Sequence, residues 1–336
     1  MTDATVRLTV EQARELALGA CLGAGANPAM ARSLVDATLS AVQFGRPEMG
    51  FPHLLDYLAA LDGGRIKADA EPRITSPLPG VIESDAAGGI AQLGFDQAFP
   101  DLCSRAQTLG IAMFVQRNSF TAGELGYYVR KLALAGVVSL AVANGPALMA
   151  VSGAKRPVYC TNPMAFGCPM PAANAPLVID QASSVTAFLN VRKAAAEHAC
   201  IPPEWAIDAS GQPTTDAQAA IMGALLPFGG YKGANIALLV EVMSAGLSKA
   251  SWSIDAPSFA SGHQTPDAGL TVIAIAPIDA DFRERLRQHV GRLQAHGVSI
   301  PSQRRAGSSS VASSSIELAE SLVRRVEAYK KGEHTA

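Results

Sequence analysis

The sequence predicts an α/β protein with helices at both ends of the chain and a strand-rich middle. Apolar residues recur at a spacing of roughly 3.6 near the N-terminus and again over 280–296 and 315–330, as in amphipathic helices. The middle instead carries short apolar runs bounded by glycine and proline, which are typical of strands joined by turns. The two helical ends can therefore form one discontinuous unit beside a sheet.

Each element follows from a local signal. Thr9 stands before Glu11 and Gln12, and a hydroxyl followed by acidic and helix-favouring residues indicates a helix start. A glycine pair ends a second helix over 50–63. The remaining predictions, in chain order, are strands with turns over 68–95, a helix over 96–110, a strand over 111–115, a helix over 127–136, a strand over 137–142, a helix over 234–249, a strand over 270–275 and helices over 280–296 and 315–330.

The length and these elements predict the domain organisation. A chain of 336 residues is long enough for two or three units, each with its own core. We predict a discontinuous helical domain of residues 1–65 and 280–336, a small mixed segment of residues 66–115, and a third domain of residues 116–279.

Composition limits the partners and the compartment. The formal net charge is −2 and the isoelectric point is near 6.3, so the chain has no long-range attraction for nucleic acid or an anionic membrane. Five scattered cysteines without a CxxC pair argue against a disulfide framework and a zinc site. The N-terminus lacks the pattern of a secretory signal, and no apolar run reaches the length of a membrane span. We predict a cytoplasmic protein without metal, nucleic-acid or membrane partners.

Several common catalytic motifs are absent from the sequence. No GxGxxG run follows a predicted strand, and the GGYKG run lacks the spacing and final hydroxyl of a Walker loop. The sequence also contains neither GxSxG nor HExxH. Ordinary hydrolase, kinase and metalloprotease functions therefore have little support.

The turn over 227–233 is the strongest local signal for a ligand. Its three glycines let the backbone approach a ligand closely and expose its amides. Lys232 adds a positive charge suited to phosphate, and a helix starting near Ala234 adds the positive end of its dipole. The alternative is a glycine-rich turn with a solvated lysine.

A second signal is the run from Asp180 to Ser184, which follows the apolar run 176–179. An acid and small hydroxyls at the end of a buried strand can place hydrogen-bond acceptors against ribose hydroxyls. The alternative is a capped turn between a strand and a helix.

Four runs together resemble the type-2 malate/L-lactate dehydrogenase family. Members of that family read GTNP, DMATS, IPxGWAxDxxGxPTTD and LLPxGGxKG. The corresponding runs here are 160–163, 180–184, 201–216 and 225–233, and the resemblance extends from about residue 9 to residue 330. The joint match in order and spacing is highly specific.

The resemblance implies a fold, an assembly and a cofactor site. The fold is a non-Rossmann dinucleotide-binding domain with a mainly antiparallel sheet, placed here over 116–279, plus a helical domain formed from both chain ends. The assembly is a homodimer with its active sites near the subunit interface. The residues implied for cofactor binding are Thr121, Gly123, Asn144, Asp180, Ala182, Ser183 and Lys232.

A basic pair near the C-terminus bears on the choice of cofactor. Members often read PGER where this chain has Arg304 and Arg305 after Pro301. These arginines can reach a 2′-phosphate, so NADPH is the expected cofactor, with NADH as the alternative. The pair can also be simply solvated on a loop.

The substrate side departs from the family pattern. The family transfers hydride between nicotinamide and the carbon of a 2-oxo acid or a cyclic 2-imino acid. Members commonly read GxxSHGxxR, and this chain has Glu48, Met49 and His53 at the serine, histidine and arginine positions. Thr121 stands at a second histidine position. A thioether cannot transfer a proton, so the histidine role does not carry over to Met49, and we expect Met49, Thr121 and Thr161 to contact the substrate.

Glu48 and His53 are the candidates for the lost chemistry. A carboxyl lodged among Phe44, Met49 and Phe51 would favour its neutral form and act as a proton donor. The imidazole of His53 can act as an acid or a weak anion binder near neutral pH. Both side chains can also be ordinary surface groups.

Three functions remain open. The first is an NAD(P)H-dependent reductase that acts on the C=N bond of a cyclic imine or the C=O bond of another small molecule. The second is a non-redox isomerase or lyase that keeps the dinucleotide pocket. The third is an inactive binding homologue. The chain keeps most of the sequence runs that the resemblance assigns to cofactor binding, and this favours the reductase.

Overall fold

The computed structural model describes residues 4–151, 153–171, 175–301 and 315–333. The N-terminal part consists of β1 (Thr5–Thr9), α1 (Val10–Gly23), α2 (Pro28–Gln43), a 3₁₀ turn (Pro47–Met49) and α3 (Phe51–Asp62). Thr9 caps α1 as predicted: its hydroxyl accepts from the Gln12 amide at 3.1 Å, and the Gln12 side chain accepts from the Thr9 amide at 2.8 Å. Two N–H groups that the helix cannot satisfy are thus paired.

The C-terminal part is β11 (Ser315–Ala319) followed by α10 (Glu320–Lys331). The two chain ends meet as predicted, because β11 pairs antiparallel with β1 and α10 packs against α1. The prediction of helix for residues 315–319 is wrong. Alternate residues of β11, Ile316 and Leu318, are buried in the helical core, so a period of two places them better than a helical period does.

The middle of the chain forms a seven-stranded sheet, which confirms the predicted α/β class with a mainly antiparallel sheet. In spatial order the strands are β2 (Arg73–Leu78), β3 (Val81–Asp85), β4 (Ile111–Ser119), β10 (Ala268–Ile275), β5 (Val138–Ala143), β6 (Met164–Cys168) and β7 (Leu177–Gln181). Every neighbouring pair is antiparallel except β3 and β4, which are parallel.

The remaining elements complete the architecture around the sheet. A two-stranded ribbon pairs β8 (Ala206–Ile207) with β9 (Ala224–Leu225). The other helices are α4 (Ala91–Leu109), α5 (Gly126–Leu134), α6 (Phe188–Ala196), α7 (Ala217–Ile221), α8 (Tyr231–Glu241) and α9 (Phe282–Ala295). Both α4 and α5 bury their apolar faces in the sheet core. None of the helices in the described ranges is long and apolar enough to cross a bilayer.

The structure differs from the predicted domain boundaries in two places. Residues 66–115 are not separate, because β3 and β4 belong to the main sheet. In addition, α9 does not join the N-terminal helices: Val290 packs with Met170 and Ile300 in a small cluster of its own. The helical unit is therefore made from the N-terminal helices together with β11 and α10.

One segment connects the two cores. Phe120, directly after β4, packs with the helical core, where its ring lies 5.6 Å from that of Tyr57. Ala122 and Leu125, slightly further along the chain, belong to the sheet core. The segment over 120–125 therefore lies at the junction of the helical unit and the sheet.

Candidate functional site

Three of the recognised runs are bonded to one another through Ser183. Its amide donates to the Thr161 carbonyl at 2.8 Å, and its hydroxyl donates to the Asn162 carbonyl at 2.7 Å. The Phe228 amide donates to the Ser183 carbonyl at 3.0 Å. Ser183 is buried, so its polar groups serve this junction. The sequence prediction that these runs form one site agrees with their placement, although Ser183 itself is engaged within the protein.

The buried carboxylate of Glu241 supports this junction through a hydrogen bond with Asn162. The Asn162 amide donates to the Ala237 carbonyl and to the Glu241 carboxylate, both at 2.8 Å. Glu241 also accepts from the Ser253 amide at 2.6 Å and from its hydroxyl at 2.8 Å. Sequence reasoning missed Glu241, whose signal is an acid within an otherwise apolar helix. Its bonds fix the position of α8 relative to the 160–163 run.

The glycine-rich turn has the backbone that its composition predicts. Gly229 and Gly230 have φ of +55° and +62°, the left-handed region that favours glycine. A Cβ on Gly233 would lie 2.3 Å from the Phe228 carbonyl oxygen, so only glycine fits there. The helix begins at Tyr231, earlier than the predicted start near Ala234.

The charged part of this turn faces outward. Lys232 is exposed in the first turn of α8, where the helix dipole is positive. The amides of Gly233 and Ala234 donate within the turn, to the carbonyls of Phe228 and Gly230 at 3.0 and 3.2 Å. The ammonium of Lys232 and the positive helix end are therefore the features of this turn that suit a diphosphate.

Asp180 contacts the start of α5. One carboxylate oxygen accepts from the Gly126 amide at 2.8 Å, and the contact of this carboxylate with a ribose hydroxyl stays a prediction. Burial and the neighbouring Glu124 carboxylate raise the pKa of Asp180, while Arg46 and Arg130 oppose this shift. Half-buried Ala182 follows it in the same run.

Asn144 is also engaged by the protein backbone. Its amide nitrogen donates to the Ser251 carbonyl at 2.9 Å, and its amide oxygen accepts from the Gly269 amide at 2.8 Å. Both polar ends of the side chain therefore tie the end of β5 to neighbouring backbone, and the contact of Asn144 with a cofactor stays a prediction. Arg304 and Arg305 lie outside the described residues, so their predicted contact with a 2′-phosphate stays a prediction.

A small pocket of about 10 Å³ lies where the helical unit meets the 120–125 segment. It brings together three residues that the sequence had singled out, Met49, His53 and Gly123. Thr121 lies beside it and accepts through its carbonyl from the Tyr57 hydroxyl at 3.3 Å. Thr161 lies with the cofactor runs instead. The lining residues are Leu34, Ala37, Thr38, Met49, His53, Leu54, Tyr57, Gln92, Gly123 and Glu124.

His53 has the geometry of a proton-transfer group. Its Nδ1 lies 3.0 Å from the Asp56 carboxylate on the same face of α3, and its ring meets Tyr57 edge-on at 5.1 Å. A carboxylate can only accept, so Nδ1 carries a hydrogen and Nε2 is the atom that exchanges a proton. Nε2 is buried without a protein partner among the described residues, and the ring lines the pocket.

Glu48 does not occupy the apolar environment predicted for it. Its side chain is 46% exposed and lies 2.9 Å from the Arg46 guanidinium, in the 3₁₀ turn before α3. The expectation that Phe44, Met49 and Phe51 enclose its carboxyl is wrong, because Phe51 turns into the helical core while Glu48 faces solvent. The reason for assigning Glu48 as the proton donor is therefore lost, and His53 is the candidate that remains.

The pocket contains a polar network that sequence reasoning missed. The Gln92 amide nitrogen donates to the Tyr57 hydroxyl at 2.9 Å and to the Ala122 carbonyl at 3.3 Å. Burial raises the pKa of Tyr57, which remains a neutral phenol. Gly123, at φ +66°, leaves the space that this network needs, since a Cβ there would lie 2.9 Å from the Gln92 nitrogen. The available signal was the position of Tyr57 one helical turn after His53.

Glu124 is the charged member of the pocket lining. It forms a buried ion pair with Arg130 at 2.8 Å, and each side chain is only 4% exposed. The Arg130 guanidinium also donates to the Ser40 hydroxyl at 2.8 Å and lies 4.2 Å from the centre of the Phe44 ring. This pair ties the helical unit to the start of α5 and fixes one wall of the pocket.

The comparisons with known proteins agree with this arrangement. The profile of the family described as malate/L-lactate dehydrogenase matches residues 8–327. The chain is 33% identical over 307 residues to a Δ1-pyrroline-2-carboxylate/Δ1-piperideine-2-carboxylate reductase of Pseudomonas aeruginosa, covering 89% of this chain and 92% of that protein. It is 34% identical over 332 residues to a (2R)-3-sulfolactate dehydrogenase (NADP(+)) of Chromohalobacter salexigens, covering 96% and 97%.

A solved structure shows the same fold. The Δ1-piperideine-2-carboxylate reductase of Pseudomonas syringae pv. tomato superimposes with a TM-score of 0.88 at 28% identity. The superposition covers 96% of this chain and 99% of that one, so it includes both the sheet and the helical unit.

Proposed function

Because the chain belongs to the malate/L-lactate dehydrogenase family of NAD(P)-dependent oxidoreductases, we propose that it uses NADPH to reduce the C=N bond of a small cyclic imine. The observation that carries this proposal is the pair of His53 and Asp56, whose imidazole lines the pocket beside the 120–125 segment. Several of the most similar relatives are named as reductases of cyclic imino acids. The C=O bond of another small molecule is the alternative substrate.

The proposed chemistry needs one hydride and one proton. Lys232 and the start of α8 would hold the cofactor, whose nicotinamide would supply the hydride to the carbon of the C=N bond. His53 donates the proton from Nε2 to the nitrogen, which gains an electron pair as the double bond is lost. Asp56 holds the ring through Nδ1 and balances the charge of the protonated imidazole. Met49 contributes only an apolar surface.

The proposed cofactor site is the 229–233 turn. Lys232 and the positive end of α8 suit a diphosphate, and the bonds through Ser183 keep the neighbouring runs beside that turn. The name of the sulfolactate dehydrogenase relative specifies NADP(+), which supports NADPH over NADH for this chain. Arg304 and Arg305 remain the residues predicted to contact the 2′-phosphate.

We also propose a homodimer with its active sites near the interface. An exposed apolar surface runs from α8 through the π-helical segment Val242–Gly246 that continues it and into the loop beyond, and isolated monomers rarely leave such a surface uncovered. Its residues, each at least 45% exposed, are Leu238, Leu239, Val242, Leu247, Trp252 and Ile254. Since α8 begins at the 229–233 turn, a partner on this surface would lie next to the proposed cofactor site.

Light scattering tests the dimer. Leu238→Glu places a charge in the apolar surface and should convert the dimer to a monomer. Ile278→Glu is the matched control, because Ile278 is fully exposed outside this surface. A monomeric parent protein, or a Leu238→Glu variant that stays dimeric, would remove the proposed interface.

Consumption of NADPH at 340 nm tests the reductase. The panel is 1-pyrroline, 1-piperideine, their 2-carboxylates and pyruvate. His53→Gln should lower kcat by about 100-fold, in the range of a lost general acid, while the affinity for NADPH stays unchanged. His289→Gln, on the exposed face of α9, is the matched control.

The outcomes separate the remaining functions. Equal turnover by His53→Gln and the parent protein would take His53 out of the reaction. Substrate conversion without net loss of NADPH would indicate an isomerase or lyase. No conversion of any compound, with NADPH still bound, would indicate an inactive homologue.

A further inference from the structure

We infer that Phe259 is a positioning residue, which the 250–267 loop holds against both the helical unit that carries His53 and the cofactor runs. This inference rests on the proposed function, in which a proton and a hydride must reach the two ends of one double bond. Such a reaction depends on placement, since a misplacement of about 1 Å can cost about 100-fold in rate. The contacts of the loop on both sides carry the inference.

The 250–267 loop is an irregular excursion that follows the π-helical segment Val242–Gly246 and precedes β10. Loops longer than about 12–15 residues without secondary structure are uncommon in compact domains, and those that are ordered usually have a function. This loop is bonded at its start to the sheet side of the molecule and at its end to the helical unit. It therefore connects the two parts that the proposed reaction has to align.

Asp267 closes the base of the loop. One carboxylate oxygen accepts from the Asn118 amide at 2.5 Å, and the other accepts from the Ser251 amide at 2.9 Å and the Ser251 hydroxyl at 2.8 Å. Both oxygens thus face backbone N–H groups, which can only donate. Asn118 and Asp267 have φ of +58° and +54°, a conformation in which asparagine and aspartate are enriched. The carboxylate therefore joins both ends of the loop to the end of β4.

The start of the loop is bonded to the cofactor runs. Ser253 donates to the Glu241 carboxylate through its amide at 2.6 Å and its hydroxyl at 2.8 Å. The same carboxylate accepts from Asn162 in the 160–163 run at 2.8 Å. The Ser253 carbonyl also accepts from the Ala147 amide at 3.0 Å. These bonds fix the first residues of the loop relative to the 160–163 run.

The end of the loop is bonded to the helical unit. The Thr265 hydroxyl donates to the Arg65 carbonyl at 2.6 Å, and Nδ1 of His263 lies 3.2 Å from the Gly63 carbonyl oxygen. Gly63 and Arg65 follow the end of α3, the helix that carries His53. The loop therefore contacts the backbone at the end of the helix that would place the proton donor.

Phe259 contacts both parts of the molecule. Its ring lies 6.0 Å from the ring of Phe120, which in turn lies 5.6 Å from the ring of Tyr57 on α3. A Cβ on Gly145 would lie 2.7 Å from Cζ of Phe259 and 3.4 Å from Sγ of Cys160, so the ring packs closely on this glycine beside the cofactor run. Packed rings resist compression and transmit displacement. The spacing between α3 and the cofactor run therefore depends on the ring of Phe259.

The rate of a single turnover in Phe259→Ala tests the inference. The full-length protein is mixed with one equivalent of NADPH and then, in a stopped-flow instrument, with an excess of the panel compound that the parent protein reduces fastest. We expect the rate of the fast phase at 340 nm to fall about 10- to 100-fold, because α3 shifts relative to the cofactor when the ring is removed. The Kd for NADPH, measured by calorimetry, should stay unchanged.

The rate and the amplitude of the fast phase separate positioning from support of the fold. A variant that only folds less well loses amplitude and keeps the rate, since the molecules that remain folded react normally. Phe99→Ala removes a half-buried ring on α4 from the sheet core, so it is the matched control and should keep the parent rate. A parent rate in Phe259→Ala overturns the inference and leaves the proposed reductase intact. No NADPH oxidation by the parent protein with any compound overturns both.

Asp267→Asn reaches the same loop through a different contact. Asparagine suits the left-handed backbone, but its amide nitrogen would replace one oxygen and face a backbone N–H, so one end of the loop is released. We expect the rate of the fast phase to fall about tenfold, again with unchanged NADPH affinity. A parent rate in this variant would overturn the assignment of the loop as the element that holds Phe259.

Discussion

The cofactor side and the substrate side of this molecule are built in different ways. On the cofactor side, the 160–163, 180–184 and 225–233 runs are joined largely by backbone hydrogen bonds, with Ser183 at their centre. On the substrate side, the pocket is formed by side chains such as His53, Gln92 and Glu124. Backbone hydrogen bonds depend on glycines and small residues at fixed positions. Side chains that line a pocket can instead be substituted one at a time. A family can therefore keep its cofactor runs and change its substrate.

The largest expected effect tests the substrate side. Arg130→Met leaves the buried carboxylate of Glu124 without a partner and should cost about 3–5 kcal/mol of unfolding free energy, measured by urea denaturation. Arg324→Met, in an exposed pair with Glu320 on α10, is the matched control and should cost less than about 1 kcal/mol. An equal loss of unfolding free energy in the two variants would mean that the Glu124–Arg130 pair does not stabilise this side of the pocket.

The next effect tests the cofactor side. Lys232→Ala removes the exposed charge at the start of α8 and should weaken NADPH binding by about 10- to 100-fold, as for a lost charge-assisted hydrogen bond. Calorimetry measures the affinity. Lys193→Ala, on exposed α6, should leave it unchanged. If Lys232→Ala also binds NADPH normally, the diphosphate does not lie at this turn.

The smallest effect tests the boundary between the two sides, where Asp180 contacts Gly126. Burial, together with Glu124, raises the pKa of Asp180 above its usual 3.8. The folded protein thus holds this proton more strongly than the unfolded chain does. Unfolding free energy should therefore decline as pH rises from 3.8 through the higher folded-state pKa. Asp180→Asn should remove this decline in urea unfolding measured across that range, and an unchanged pH dependence would contradict the assignment.

The sequence predicted the cofactor side better than the substrate side for a physical reason. Gly229, Gly230 and Gly233 occupy positions that only glycine tolerates, so their spacing is visible without a structure. Glu48 was predicted as the best proton donor and His53 as a further candidate, because a sequence does not show which side chain turns into the protein. Only the fold shows that Glu48 is exposed and that His53 Nε2 is buried.

Long-range contacts explain the other differences. The role of Gln92 depends on Tyr57 and Ala122, which lie on two other segments. The strand over 315–319 forms because β1 is available to pair with it, and the short alternation of Ile316 and Leu318 does not identify that partner. The capping of α1 by Thr9, in contrast, involves residues three positions apart and was predicted correctly.

The pairing of β1 with β11 has a consequence for biosynthesis. The ribosome makes residues 5–9 long before residues 315–319, and Leu8 faces Ile316 across the ladder. The apolar surfaces of α1 and α3 that α10 covers must therefore wait until residues 315–331 have been made. A nascent chain can assemble its sheet before its helical unit closes, and this interval is when the protein has most need of a chaperone.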